Sequence, residues 1–122
     1  MSLDSYGLKS TLIEGVDHVT KAVGGASSIT KEVGLGVAVT RTGTGAYLLT
    51  WSESQGYHLG SIAGLSAVTP ASLAGHTVVF GEYNATARTL AVHVRNAADA
   101  AHDLAANEWL TVRATFSHEN LN

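Results

Sequence analysis

Between Gly36 and Trp51 the chain reads GVAVTRTGTGAYLLTW, two β-rich stretches separated by Thr42-Gly43-Thr44-Gly45. Two glycines within four residues supply the positive φ angles that a tight reversal needs. Val, Thr, Tyr, Leu and Trp on either side suit a pleated, half-buried surface. The stretch predicts a β-hairpin, and a chain built around it is expected to be a β-protein.

The remaining apolar patterning extends that expectation. Arg88 to Arg95 alternates, with Leu90, Val92 and Val94 on one side and Thr89, Ala91, His93 and Arg95 on the other. Trp109 to Phe116 repeats the pattern, Leu110, Val112, Ala114 and Phe116 facing one way and Trp109, Thr111, Arg113 and Thr115 the other. Ser61 to Val68 reads as a strand weakened by Gly64, and Thr77 to Phe80 as another. Pro70, the only proline, opens a connection to Gly75 and suits a strand end. Asn84 marks a turn. The alanine-rich run from Asn96 to Glu108 predicts a long loop with a short helical turn, capped by Asn96 or Asp99.

Residues 1–35 form either an N-terminal arm or the first strands, with Gly24 to Ser28 as a connector or hairpin loop, and residues 36–122 form the β-sandwich domain. Turns recurring every 8 to 15 residues or so point to a single-domain, jelly-roll-like β-sandwich or barrel of about six to eight antiparallel strands. At 122 residues no second core is expected.

Composition narrows what such a domain can do. Hydrophobic residues make up 45% of the chain and charged residues only 14%, against about a quarter in ordinary soluble domains. The surface is therefore largely Thr, Ser, Asn, Gly and Ala, a covering suited to contact with other protein. The net charge is −3, and the seven Lys and Arg are spread singly from Lys9 to Arg113, which argues against nucleic acid as a partner. Cysteine is absent, so disulfides and thiolate metal sites are excluded. MSLDSYGLKS lacks the basic-then-apolar pattern of a secretory signal, and no apolar run approaches the roughly 18 residues of a membrane span. Synthesis in the cytoplasm is expected, with no membrane partner.

No chemistry-bearing motif emerges. The six histidines contain no HxH pair and no HExxH, so no metal site is expected. Glu53, Glu82, Asp99, Asp103 and Glu108 are not paired by spacing, and no GxSxG accompanies the serines. Gly43-Thr44-Gly45 lacks the strand-to-helix setting of a phosphate loop, and Asn84-Ala85-Thr86 matches a glycosylation sequon that a turn explains as well. The reading is of a protein that is not an enzyme, without cofactor or catalytic residues. The aromatic residues Trp51, Tyr57, Trp109, Tyr47 and Tyr83 are candidates to line a carbohydrate or partner site, with core packing as the alternative.

VTRTGTGAYLLTW (Val39 to Trp51), ARTLAVHV (Ala87 to Val94) and DLAANEWLTVRATF (Asp103 to Phe116) together resemble small structural proteins of tailed bacteriophages, above all capsid cement, or decoration, proteins. The resemblance spans Val37 to His118. It implies a virion protein on the capsid surface, with the major capsid protein and further copies of itself, as dimer or trimer, for partners. Tyr47, Tyr83 and Trp109 are the expected contacts, with Leu3, Tyr6 and Leu8 in an arm running to Ser28. The other class considered is a receptor- or glycan-binding head of a phage tail fibre or spike, although no shaft repeats or heptads are present.

Overall fold

Alternating Val, Thr and Leu residues build strands with one apolar face each, and such faces must pair across a core. The computed structural model describes residues 15–118. In chain order the strands are β1 (Val16–Gly25), β2 (Ser28–Val33), β3 (Val37–Gly43), β4 (Ala46–Trp51), β5 (Tyr57–Ala67), β6 (Thr77–Asn84), β7 (Thr89–Arg95) and β8 (Glu108–Ser117). A 3-10 turn, Pro70–Leu73, opens on the proline, whose fixed φ suits that position.

The strands form two four-stranded sheets, β2-β1-β8-β5 and β3-β4-β7-β6, with every pairing antiparallel. The all-β sandwich is as expected. Of the seven successive connections, β2–β3, β4–β5, β5–β6 and β7–β8 pass from one sheet to the other, and β1–β2, β3–β4 and β6–β7 stay within one, a strand order that establishes a sandwich without establishing the full winding of a jelly roll. The sheet edges approach each other on both sides, β2 toward β3 and β5 toward β6, leaving two seams.

The Thr42 to Gly45 turn joins β3 to β4 as the sequence predicts, although only Gly45 takes the positive φ expected of both glycines and Gly43 ends β3. Residues 16–33 are sandwich strands, since β1 lies between β2 and β8. Residues 34–36 carry the chain from β2 in the first sheet to β3 in the second. Parity along the strands decides the core. Tyr47, Leu49 and Trp51 of β4, Leu90, Val92 and Val94 of β7, and Leu110, Val112, Ala114 and Phe116 of β8 are all buried. Each large side chain so buried contributes about 1.5–3 kcal/mol. Trp51 meets Phe116 edge-on at 5.2 Å and Tyr83 at 6.2 Å, closing one end of the sandwich with aromatic rings.

The connection from β7 to β8 crosses between sheets at the other end. It contains no helical turn, contrary to the alanine-based expectation. Asn96 Oδ1 accepts hydrogen bonds from the Ala98 and Ala100 amides, Asp99 sits at φ 61°, and Arg95 bridges to Ala101. The asparagine side chain offers these amides a partner that competes with helix formation. Farther on, Leu104 is fully buried, and its amide donates to Tyr47 Oη at 2.8 Å.

Two glycines let this crossover lie against both sheets. A Cβ on Gly24 of β1 would strike the Leu104 carbonyl. At Gly45 the φ is +64°, and a Cβ would lie 2.6 Å from the His102 amide nitrogen and 2.7 Å from the Val94 carbonyl. Gly45→Ala is therefore expected to cost about 2 kcal/mol or more, from backbone strain and displacement of the crossover. Urea denaturation measures it, and a loss below about 0.5 kcal/mol, the range of neutral surface changes, would contradict the close packing described.

Candidate functional site

Three regions carry exposed or polar chemistry. The first is the crossover end, where the Arg41 guanidinium donates to both Asp103 oxygens, at 3.1 and 2.9 Å, and the Gly45 amide donates to Oδ1 at 2.8 Å. The Arg41 bonds, joined by the Gly45 amide, hold the Asp103 carboxyl below its ordinary range. Glu108, 4% exposed, accepts from the Ala105 amide and the Ser72 hydroxyl and contacts His102 Nε2 at 3.0 Å. Burial pushes the Glu108 carboxyl up, but the Ala105 amide, His102 and Ser72 together bring it below its usual value. All these partners are internal, so the cluster fastens the crossover.

The second region is the outer face of the first sheet. Register arranges it in cross-strand rows: Asp17, Thr115 and Gly60; Val19, Arg113 and Ile62; Lys21, Thr111 and Gly64; Val23, Trp109 and Ser66. Val33 extends the Lys21 row. Ile62 is 65% exposed, Val33 51% and Val19 41%. The charges on this face are paired, Lys21 with Glu32 at 3.0 Å and Arg113 with Asp17 at 3.8 Å. Trp109 is half-buried, its ring covered by Lys21 Nζ 5.0 Å from the centroid.

The third region is a cleft of about 560 Å³ where β5 begins and β6 ends. Ser54, Tyr57, His58, Glu82 and Tyr83 line it. The His58 and Tyr83 rings stack at 5.1 Å, and His58 Nε2 meets Ser61 Oγ at 2.7 Å. Burial lowers the His58 imidazole, with partial compensation from the Gly60 backbone, and burial raises the Tyr83 phenol.

These positions sort the residues singled out from sequence. Trp109 lies on the outer face, and Tyr83 lines the cleft. Tyr47 is 1% exposed, its hydroxyl occupied by the Leu104 amide. It is a core residue and not a contact, and its shared parity with Leu49 and Trp51 is the signal that marks it so. Leu3, Tyr6 and Leu8 lie outside the described residues. Sequence reasoning did not bring together Tyr57, His58 and Glu82, which two strand irregularities assemble, or Val19, Val33 and Ile62, which long-range pairing assembles. Among the described residues no group of three or more His, Cys, Asp or Glu side chains could hold a metal ion. Neither a scan against protein-family models nor searches of curated proteins and of solved structures find a match to the chain.

Two expectations follow from the crossover cluster. Asp103 and Glu108 have folded-state pKa values below their unfolded ones, so their contribution is complete above the unfolded values and is lost as pH falls through the folded ones. The urea midpoint should drop between about pH 5 and pH 3, and Asp103→Asn should be less stable at neutral pH with a flatter acid limb. Tyr47→Phe should cost about 1–3 kcal/mol by orphaning the buried Leu104 amide, while leaving any partner affinity unchanged. A loss of partner binding at full stability would restore Tyr47 as a contact.

Proposed function

We propose that this chain is a non-enzymatic structural protein of a virion head, a cement or decoration protein. In this reading it assembles as a homo-oligomer, a dimer or trimer, on the outer capsid lattice between major capsid protein subunits. The observation that supports it most is the outer face of the first sheet. Ile62, Val19 and Val33 stand exposed there on rigid strands, while the neighbouring charges pair with each other. Internal pairing lowers the desolvation cost of covering such a face, because few charges need new partners. The outer face of the second sheet, with Ala38, Thr40, Leu48, Thr50 and Ala91, is likewise poor in charge.

The mechanism is linkage. A protein that binds the assembled lattice and not its separated subunits stabilises the lattice by mass action, in proportion to the logarithm of its concentration over Kd. Strands suit the task better than loops, since a pre-formed face loses little conformational freedom on docking. Trp109 supplies a large anchor at the end of this face, with Lys21 already holding its ring.

Purified protein mixed with undecorated capsids should co-sediment with them and raise their temperature of thermal disruption. Ile62→Asp should weaken that binding by about tenfold or more with folding intact, as loss of a central interface anchor does. Absence of binding to capsids, together with binding to host cells, would replace this reading with the tail-fibre or spike head.

A further inference from the structure

The geometry points to a second binding site, independent of lattice docking: the cleft between the starts of β5 and the end of β6 binds a neutral pyranose sugar, such as the end unit of a glycan. Two opposed β-bulges build it. In β5, Leu59 is the extra residue between the pairs His58–Phe116 and Gly60–Thr115. In β6, Gly81 and Glu82 fall between the pairs Phe80–Val92 and Tyr83–Leu90. Bulges re-aim side chains and collect beside functional sites. Here the first turns His58 inward beside Phe116, and the second sends Glu82 to the exposed rim while returning Tyr83 to the cleft.

The result is a stiff aromatic wall with free polar groups around it. Tyr83 is fixed by its stack on His58 and by edge contacts with Trp51 and Phe116, so an incoming ligand orders little. Tyr57, half exposed, also lines the cleft and offers a second aromatic face to a ligand. The Glu82 carboxylate is the only acidic group among the described residues that line the cleft, and it makes no hydrogen bond or ion pair with the described residues. Ser54 Oγ accepts from the Gly56 amide at 3.4 Å and keeps its own proton to donate. The two tyrosine hydroxyls add further donors and acceptors.

That combination matches a pyranose in each respect. The C–H face of the ring packs on an aromatic side chain, and adjacent hydroxyls donate as a pair to one carboxylate. The mixture of donors and acceptors suits a polyol better than a quaternary ammonium ion, which offers no proton. A sialylated or sulfated ligand would meet Glu82 with like charge. The volume lies within the span of small-molecule sites, about 300–1,000 Å³. The openness of the rim to solvent and the small number of contacts place the affinity at about 1 mM.

Titration of the isotope-labelled protein by NMR tests this, with glucose, galactose, mannose, N-acetylglucosamine and their disaccharides as probes, and choline and free N-acetylneuraminic acid as controls. Expected are saturable shifts of the Ser54–His58 and Glu82–Ala85 amides with at least one neutral sugar, with the corresponding disaccharide binding at least as tightly. Glu82→Gln and Tyr57→Ala, both at exposed positions, should each weaken binding about tenfold or more, with the remaining spectrum unchanged. No saturable shift with any neutral sugar up to about 50 mM, or shifts confined to other surfaces, would overturn the assignment. So would a response to choline alone, or full affinity in both variants. Because the capsid assay reads a different face, either result can fail without the other.

Discussion

The bidentate pair of Asp103 with Arg41, completed by the Gly45 amide, is the contact that fastens the β7–β8 crossover to the β3–β4 corner of the second sheet. Antiparallel hairpins hold themselves together, but nothing in a hairpin dictates how one sheet sits over the other. The β7–β8 crossover is one of four connections that supply that relation, beside β2–β3, β4–β5 and β5–β6. It leaves the second sheet at Arg95, is caught by the β3–β4 corner at Asp103, buries Leu104 between the sheets, and enters the first sheet at Glu108. Leu104 contributes apolar burial, and Asp103 fixes its depth. The carboxylate makes the catch directional, because its oxygens accept from one guanidinium and one backbone amide at a single position.

What the sequence made legible follows from how local each signal is. The Thr42 to Gly45 corner was readable because a turn's demand for positive φ falls on residues adjacent in the chain, and Gly45 meets it at +64°. The core faces of β7 and β8 were readable from parity alone. Parity also placed Tyr47 with Leu49 and Trp51, and that reading outweighs the general tendency of tyrosine to serve at interfaces. The crossover was misread where alanine propensity, worth only tenths of a kcal/mol per residue, was set against an asparagine able to satisfy two amides at once.

The surfaces were harder to read, for two distinct reasons. The Val19, Arg113 and Ile62 row comes from strands far apart in sequence, and its existence depends on β8 pairing with both β1 and β5. No window of the chain contains it. The cleft escapes for the opposite reason. His58, Glu82 and Tyr83 lie in locally patterned strands, but the bulges at Leu59 and at Gly81 and Glu82 reset the parity that would predict where they point.

Stability and binding capacity are therefore separated along the molecule. The crossover end spends its charged groups internally: Asp103, Arg41, Glu108 and His102 all face partners within the chain. The cleft end keeps its core apolar through Trp51 and Phe116 and leaves the Glu82 carboxylate at the rim. Between them the outer face of the first sheet neutralises its own charges in pairs and presents Ile62 and Val19 on hydrogen-bonded backbone. In a chain with 14% charged residues each such group is scarce. Their placement then separates the surfaces physically: a face whose charges are already paired costs less to cover with protein than one whose charges would be left alone, whereas a rim carboxylate with no partner among the described residues retains its capacity to accept hydrogen bonds from a ligand.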